Sequence, residues 1–306
     1  MRRILVIKHG ALGDFVLATG PFTAIRAHHL GDNVTLLTTP PYVDFARQSR
    51  LFDQVWVDTR PGVFQVSGWW SLLRRLRDEP IARVYDLQTS SRSSFYFRLL
   101  PRPKPEWSGI AHGASHPHAG PERVRLHTVD RQAEQLRLAG IDHVPHPDLS
   151  WAKADISHLT LPRSFALLAP GGSAHRPEKR WPASHFAALT RELTKVGITA
   201  VAIGGKDDVA ATRAVAEAGG IDLAGSTTLA EVVELARRAK VAIGNDTGPM
   251  HLAATAGCRS VVLFSHASDP ALCAPRGPVV RVLREPVLAQ LTVAEVAEAA
   301  LKGMDA

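Results

Sequence analysis

The order of strand-like and helix-like segments is the feature of this sequence that most restricts its fold. Short apolar runs rich in β-branched residues alternate with longer amphipathic segments, and the alternation stops once and then restarts. Such alternation is typical of βαβ units, in which helices cover both faces of a parallel sheet. A chain of 306 residues is also long enough for two domains of ordinary size. The sequence therefore predicts two consecutive α/β domains.

The two predicted halves are separated by a proline-containing stretch of little periodicity at residues 142–162, which is typical of an interdomain linker. The first half is predicted to have strands at 3–8, 34–38, 54–57 and 82–87 and helices at 15–29, 41–48, 69–77 and 127–139. The second half is predicted to have strands at 165–169, 199–203, 221–223, 240–243 and 260–264 and helices at 182–196, 207–218, 229–239, 249–256 and 293–301. We expect a first domain of residues 1–150 and a second of residues 151–306, the last helix being able to pack back on the first domain.

The stretch Pro101–Pro121 interrupts the first half. It contains five prolines, three glycines and three histidines, and it has no strand or helix periodicity. Loops of this length inside a compact domain are usually functional or disordered. The sequence predicts a long loop here and leaves its role open.

The chain has an excess of basic residues, with 36 Lys and Arg against 29 Asp and Glu, and its isoelectric point is about 9.8. This excess favours an anionic partner, which could be nucleic acid, phospholipid or a phosphorylated small molecule. Two cysteines, Cys258 and Cys273, are too few for a disulfide scaffold and are not spaced like a metal site. The apolar run that follows Met1 ends at Lys8, too early for an export signal. We expect a cytoplasmic protein.

Three glycine-containing turns follow predicted strands, and the first is Gly-Ala-Leu-Gly-Asp at Gly10–Asp14. Glycine lets the backbone approach a ligand closely, and the helix that follows presents free amides to an anion. The turn matches neither the dinucleotide fingerprint Gly-x-Gly-x-x-Gly nor a Walker loop. Two interpretations remain for Asp14, which either caps the helix or supplies a catalytic carboxylate.

The second turn runs from Ala169 to Pro182. It combines Gly171-Gly172-Ser173 with the cations Lys179 and Arg180 ahead of a helix that starts at a proline. Flexible amides, a hydroxyl and an ammonium group together suit a phosphate. The sequence predicts an anion site here, the alternative being a solvated basic loop.

The third turn, Gly-Asn-Asp-Thr-Gly-Pro-Met-His, spans Gly244–His251. Asn245, Asp246 and Thr247 are helix-capping residue types, and the proline that follows fits a first helical turn. Capping does not explain His251. A lone histidine is more often packed in a core, but its position one turn into the helix favours ligand contact.

These turns, together with Ile-Leu-Val-Ile-Lys before the first of them and Asp86-Leu87-Gln88, resemble the motifs of glycosyltransferase family 9 and come in the same order. That family comprises the ADP-heptose:lipopolysaccharide heptosyltransferases and their relatives. The resemblance covers nearly the whole chain and is most specific in the third turn. It implies a GT-B fold, in which two Rossmann-like domains flank a cleft, the nucleotide-sugar binding the C-terminal domain and the acceptor the N-terminal domain.

The resemblance also implies an activity. We expect inverting transfer of a sugar, heptose above all, from a nucleotide-sugar such as ADP-heptose to a lipopolysaccharide core or related glycan acceptor. No metal or other cofactor is implied. The implied partners are the donor, an anionic glycolipid acceptor and the cytoplasmic surface of the inner membrane, without nucleic acid.

Residue roles follow from the same resemblance. Asp14 would be the general base, and an acidic residue after the fourth strand of the second half, Asp207 or Asp208, would hold the ribose. The donor phosphates and sugar would be bound by Ser173, Lys179, Asp246, Thr247, Gly248 and His251. Weaker candidates for acceptor contact are Gly13, Gln88, Arg60, Arg92, Arg98, Arg102 and Lys104. A second basic group on a predicted helix, expected to be a solvated face or a weak membrane contact, consists of Arg74, Arg75 and Arg77.

Elementary electrostatics agrees with these roles, because a departing nucleoside diphosphate gains negative charge that fixed donors must stabilise. Two other hypotheses remain open. One is a GT-B-type sugar-nucleotide epimerase, which would convert the donor without an acceptor. The other is a basic nucleic-acid-binding protein, although aromatic residues do not interleave with the basic clusters.

Overall fold

A computed structural model of the chain describes residues 1–62, 64–78, 80–173 and 175–302. Ala174 in the predicted phosphate loop and the last four residues of the predicted second domain lie outside the described residues. The chain divides into two compact units, one spanning Met1–Pro147 and the other beginning at Asp148. The sequence had placed this boundary after residue 150.

The first unit is a six-stranded parallel sheet with helices around it. Its strands are β1 (Arg3–Ile7), β2 (Asn33–Thr38), β3 (Gln54–Val57), β4 (Ile81–Asp86), β5 (Glu106–Gly109) and β6 (His116–Pro117). Its α-helices are α1 (Leu12–Leu17), α2 (Thr19–His28), α3 (Val43–Gln48), α4 (Val66–Asp78), α5 (Ser91–Leu99) and α6 (Thr128–Leu138), with short 3-10 helices at Pro40–Tyr42 and Pro121–Arg125. The strand order is β3-β2-β1-β4-β5-β6.

The second unit repeats this architecture. Its strands are β7 (Phe165–Ala169), β8 (Thr199–Ala202), β9 (Ile221–Asp222), β10 (Val241–Asn245), β11 (Ser260–Phe264) and β12 (Val280–Arg284). Its α-helices are α7 (Ala183–Lys195), α8 (Val209–Glu217), α9 (Leu229–Arg238), α10 (Gly248–Thr255), α11 (Pro270–Cys273) and α12 (Val293–Leu301), with 3-10 helices at Pro177–Lys179, Lys206–Asp208 and Leu288–Gln290. The strand order is β12-β11-β10-β7-β8-β9, and every described strand pair is parallel.

Continuous apolar runs form the central strands because a parallel sheet is covered on both faces. In β1, Leu5 and Ile7 join the core under α4 and α5, while Ile4 and Val6 are equally buried on the other face. In the second unit, α7 and α12 pack together over the sheet through apolar residues that include Phe186, Leu189, Val296 and Ala299. The last helix thus contributes to the core of its own unit.

Strands β5, β6 and β12 and helices α5 and α11 were not predicted from the sequence, and the single helix predicted at 15–29 is divided into α1 and α2. The predicted loop 101–121 contains β5 and β6, which are too short to show a periodicity, and β6 lies at a sheet edge that tolerates its proline. Helix α5 was missed because its first turn is serine-rich, yet Ser90 and Ser93 form a capping box that starts it. Strand β12 was missed because arginines interrupt its apolar residues; it lies at an edge of the sheet of the second unit.

In the part of the chain that the structure describes, no helix has the length and apolar character that crossing a bilayer requires.

The strand order places the loops that matter. In the first unit the chain reverses its winding between β1 and β4, and in the second unit between β7 and β10. Ligands of open parallel sheets bind at such a switch point, beyond the carboxyl ends of the strands. The turn containing Asp14 and the segment Asp86–Gln88 therefore meet in the first unit. In the second unit the second turn, Ala169–Pro182, meets the third turn, Gly244–His251.

Candidate active site

Asn245 joins the two loops at the switch point of the second unit. Its side-chain amide donates hydrogen bonds to the carbonyl oxygens of Pro170 (2.8 Å) and Gly171 (2.9 Å), and its Oδ1 accepts from the Trp181 amide (2.9 Å). The side chain is fully buried. The interpretation of Asn245 as a helix cap is therefore wrong, and the residue instead holds the loops after β7 and β10 in one arrangement.

The predicted donor residues Lys179 and Asp246 are in direct contact. Lys179 Nζ lies 2.6 Å from Asp246 Oδ2, and the hydroxyl of Ser268 donates to the same oxygen at 2.8 Å. Ser268 was not among the predicted site residues. The available signal was topological, because Ser268 follows β11, which pairs with β10. The three groups place an ammonium at the carboxyl ends of the strands.

The start of α10 lies beside this ammonium. Thr247 is the N-cap residue in an extended conformation, and among the described residues its side chain does not cap the helix. The first amides of a helix have no partner within the helix and carry partial positive charge. Asp246 pairs with Lys179, and Thr247 and Gly248 follow it at the helix start, so the ammonium and the first amides of α10 lie at the same end of the strands. His251 is different, because its side chain is buried and offers almost no surface to a ligand.

Asp208 has a structural role that the sequence did not reveal. Its carboxylate accepts hydrogen bonds from the amides of Gly172 (3.1 Å) and Gly205 (3.0 Å) and from Arg180 (3.2 Å). A Cβ atom on Gly171 would lie 2.1 Å from the Asp208 Cγ atom. Glycine is thus required at position 171 to accommodate Asp208, whether or not a ligand approaches there.

The two ribose candidates are separated by these contacts. Both carboxylate oxygens of Asp208 are used inside the protein, whereas Asp207 is exposed. Both residues follow β8, the second strand of the unit, so the expectation of a position after the fourth strand was wrong. Ser173 is exposed in the loop after β7.

In the first unit a small polar cavity of about 60 Å³ lies at the ends of β1 and β4. Asp14, in the first turn of α1, lines this cavity. Gln88 also lines it, and the Oε1 atom of Gln88 accepts a hydrogen bond from the His9 amide (2.8 Å). Gly13 precedes Asp14 in the same turn. The N-cap of α1 is Ala11, so the interpretation of Asp14 as the helix cap is wrong.

Three cations that the sequence analysis did not select line the same cavity, namely Lys8, Arg123 and Arg131. Lys8 is buried and donates to the Leu87 carbonyl oxygen (3.2 Å), and burial lowers the pKa of its amine while the Asp14 carboxylate acts in the opposite direction. Arg123 donates to the Thr89 hydroxyl (3.1 Å), and burial beside Arg131 lowers its pKa. Lys8 could have been found from its place at the end of β1, but only the fold brings the two arginines there.

Asp86 lies buried at the end of β4. Its Oδ1 accepts from the amides of Thr89 (2.9 Å) and Gln88 (3.2 Å), whereas within the described residues its Oδ2 has no hydrogen-bond partner. Burial raises the pKa of this carboxyl from 3.8 to about 6, although these hydrogen bonds and the charge of Lys8 oppose the shift. A Cβ on Gly109 would lie 3.0 Å from the Asp86 Cβ, so that neighbour must be small.

Arg60 is held in place by Asp58, a buried carboxylate just beyond β3. Asp58 accepts from the Arg60 amide (2.7 Å) and from the Tyr96 hydroxyl, and it lies 3.1 Å from His9 Nε2. Burial would raise the pKa of Asp58, but the neighbouring His9 and the hydrogen bonds from Tyr96 and the Arg60 amide outweigh it and lower the pKa to about 2. The Arg60 side chain itself is exposed at the carboxyl edge of the sheet.

The other predicted acceptor cations are used differently. Arg92 donates to the Tyr96 hydroxyl (2.7 Å) and the Pro61 carbonyl (3.2 Å), so it acts within the fold. Arg98 lies in the last turn of α5, about 10 Å along the helix from the edge that carries the site, so its prediction as an acceptor contact is not supported. Lys104 donates to the carbonyls of Phe97 and Arg98 and closes the end of α5.

The described residues bring no three His, Cys, Asp or Glu side chains into an arrangement that could hold a metal ion.

Comparison with known proteins identifies similar chains. The family model of glycosyltransferase family 9 (heptosyltransferase) matches residues 69–295. The chain is 24% identical to lipopolysaccharide heptosyltransferase 2 of Salmonella typhimurium over 311 residues, which cover 92% of this chain and 88% of the relative.

Two solved structures are similar over almost the full chain. The ADP-heptose LPS heptosyltransferase II of Escherichia coli superposes with a TM-score of 0.81 at 21% identity and covers 100% of both chains. A glycosyltransferase family 9 protein of Veillonella parvula superposes with a TM-score of 0.83 at 21% identity and covers 99% of this chain and 97% of its own. These similarities confirm the expected GT-B-like α/β fold.

The buried Asp86 carboxyl predicts a pH dependence of stability. Because its pKa is raised in the folded state, the folded state binds the proton more tightly, and stability is lost as the pH rises from about 4 to about 6. The variant Asp86→Asn keeps an oxygen for the amides of Gln88 and Thr89. We expect its free energy of unfolding to exceed that of the wild type by about 1–3 kcal/mol at neutral pH and the difference to shrink toward pH 4. Urea unfolding across this pH range measures it, and a variant less stable than the wild type at neutral pH would contradict it.

Proposed function

The chain belongs to glycosyltransferase family 9, and we propose that it transfers heptose from ADP-heptose to an anionic lipopolysaccharide acceptor with inversion at the anomeric carbon. The observation that carries the proposal is the Lys179 ammonium beside the first amides of α10. The names of the relatives support the sugar and the acceptor, since the Salmonella protein is a lipopolysaccharide heptosyltransferase and the E. coli structure an ADP-heptose enzyme.

The second unit would bind the donor. When the bond between the anomeric carbon and the diphosphate oxygen breaks, the electron pair leaves with ADP and its charge increases. An ammonium about 4 Å from a phosphate oxygen contributes roughly 4 kcal/mol at an effective dielectric constant near 20. In this structure Lys179 pairs with Asp246, so a bound diphosphate would share or replace the carboxylate as its partner. Asp207, rather than Asp208, would bind the ribose.

The first unit would bind the acceptor. Asp14 would take the proton from the attacking hydroxyl while the new bond forms between that oxygen and the anomeric carbon, on the face opposite the departing ADP. A general base of this kind typically contributes about 10²–10⁴ in rate. Lys8, Arg123 and Arg131, which line the cavity with Asp14, would bind anionic groups of the acceptor, and exposed Arg60 would extend that surface.

The donor set supports catalysis without a metal ion. Lys179 and the amides of α10 together supply positive charge where the diphosphate departs. A lipid-linked acceptor would place the enzyme at the cytoplasmic face of the inner membrane.

The two other hypotheses from the sequence lose their basis. Family membership makes the protein a glycosyltransferase, which argues against an epimerase that acts on the donor alone. The basic charge has an explanation in the cation-lined cavity, so nucleic acid is not needed to account for it.

Replacing the general base should abolish transfer without affecting donor binding. We expect Asp14→Asn to lower kcat by about 10²-fold or more, because the attacking hydroxyl loses its proton acceptor. The Kd for ADP, measured by calorimetry, should stay within about twofold of the wild-type value. A twofold change is well below the tenfold change in Kd that corresponds to about 1.4 kcal/mol. Asp44→Asn, at an exposed carboxylate on α3, is the matched control. Full turnover by Asp14→Asn would remove Asp14 from the mechanism.

Replacing the donor cation should weaken nucleotide binding. We expect Lys179→Ala to raise the Kd for ADP by about tenfold or more and to change the Kd for adenosine little, because the lost charge faces the phosphates. Lys195→Ala, at an exposed lysine on α7, serves as the control. Titrating UDP and GDP beside ADP tests the donor base. Unchanged ADP affinity in Lys179→Ala would contradict the phosphate site.

Metal independence has a direct test. We expect the initial rate of transfer in excess EDTA to equal the rate in added Mg²⁺, because the leaving group is stabilised by protein cations and amides. A loss of activity in EDTA that Mg²⁺ restores would show that a metal takes part.

A further inference from the structure

Several large apolar side chains of the first unit are exposed close together in the fold. Phe64 is 94% exposed, Val66 68%, Trp70 67% and Phe95 42%, and we refer to these four as the aromatic patch. Val66 and Trp70 lie four residues apart on one face of α4, and Phe95 contacts Trp69 with ring centroids 5.8 Å apart. Single exposed apolar residues are ordinary on proteins, but a group that includes two aromatics this exposed marks an interaction surface.

The patch lies at the functional edge of the sheet. Helix α4 begins after the carboxyl end of β3, and α5 begins after the carboxyl end of β4. The first turns of both helices are therefore on the side where β1 ends and Asp14 lies. Phe64, Val66 and Trp70 stand at the start of α4, so the apolar surface is on the same side of the sheet as the acceptor site of the proposed function.

The segment that presents Phe64 is held by the fold. Trp69 Nε1 donates to the Gly62 carbonyl (3.0 Å), and Arg92 donates to the Pro61 carbonyl (3.2 Å). A Cβ on Gly68 would lie 2.7 Å from the Pro61 Cβ, so the segment and the helix approach closely. These contacts hold the residues on either side of Phe64 against the fold, while Phe64 itself is exposed.

Positive charge continues along the same helix. The described part of α4 carries Arg74, Arg75 and Arg77 and one carboxylate, Asp78, which pairs with Arg74 (3.0 Å). All three arginines are exposed. Exposed aromatic rings and clustered arginines on one surface are features of segments that bind the surface of an anionic bilayer. Aromatic rings enter the headgroup region, and arginine stems reach lipid phosphates while keeping their charge in water.

We propose that the aromatic patch and the arginines of α4 dock the first unit on a bilayer that contains anionic phospholipid. Nothing in α4 requires it to span the membrane, and the contact is peripheral. The docking deepens the proposed function, since it would place the site of Asp14 at the membrane surface from which a lipid-linked acceptor projects. Its physical basis is separate, because it depends only on α4 and the segment before it.

The test is sedimentation of the full-length protein with vesicles of phosphatidylcholine alone and with added phosphatidylglycerol. We expect wild type to bind the mixed vesicles and to be released by high salt. The double variant Phe64→Ser, Trp70→Ser should bind at least about tenfold more weakly, because both rings lose their place in the interface. Leu30→Ser is the matched control, since Leu30 is 82% exposed in the turn before β2, at the opposite edge of the sheet. Arg75→Gln, Arg77→Gln should reduce binding to the mixed vesicles and abolish its salt dependence.

The fluorescence of Trp70 provides a second test, which reports contact with lipid directly and does not depend on a variant that fails to bind. Brominated lipid should quench the tryptophan fluorescence of the wild type on mixed vesicles and quench Trp70→Phe less. Equal vesicle binding by wild type and by the double variant, or no binding by wild type, would overturn the proposal. Dimerisation of wild type without lipid, lost in the double variant, would assign the patch to a second copy of the chain and would overturn it too.

Transfer assays separate this proposal from the proposed function. With a delipidated, water-soluble acceptor the double variant should match wild type, whereas with acceptor embedded in vesicles its KM should rise. An inactive wild type that still binds anionic vesicles through the patch would reject the transferase proposal and leave the docking surface standing. Active wild type with no vesicle binding would do the reverse.

Discussion

Each candidate site depends on a pair of parallel strands from which the chain leaves in opposite directions. Beyond β1 and β4, and again beyond β7 and β10, the loops diverge and leave a crevice at the carboxyl edge of the sheet. Buried polar side chains fix the loops that border these crevices. Asn245 does so through three hydrogen bonds to the loop after β7. In the first unit Gln88 and the buried Asp86 bind the loops at the ends of β1 and β4. These side chains stabilise the fold where it approaches its ligands.

The two crevices differ in how their cations are balanced by carboxylates. In the second unit Lys179 is neutralised by Asp246, which holds the ammonium in position. In the first unit Lys8, Arg123 and Arg131 face a single lining carboxylate, Asp14, and burial lowers the pKa of Lys8 and of Arg123. Cations whose charged form is disfavoured by burial are stabilised by an incoming anion. An anionic acceptor suits the first unit for this reason, as a diphosphate suits the second.

Local patterns in the sequence predicted most elements of the fold but only some contacts of the candidate site. The strands β1, β3, β7 and β11 were predicted within about one residue because each is a short apolar run bounded by polar or turn-forming residues. Strands β5, β6 and β12 were missed, since β5 and β6 are only four and two residues long and β12 carries arginine between its apolar residues at a sheet edge. The turns at Gly10, Gly171 and Gly244 were recognised as special, yet Gly171 is needed to accommodate Asp208. That reason depends on a contact 37 positions away, since 208 minus 171 is 37.

Two parallel α/β units and the resemblance to a sugar-transferase family can be read from the sequence alone, because strand–helix periodicity and short motifs are local properties. The sequence also shows which polar residues follow the strands, including Asp14, Lys179 and Asp246. The partners of each carboxylate depend on the folded chain, in which Asp208 binds loops while Asp207 stays exposed. Folding also brings Arg123 and Arg131 to the cavity that Asp14 lines and leaves Trp70 on α4 uncovered. Burial and charge pairing are sums over residues distant in the chain, and no local pattern records them.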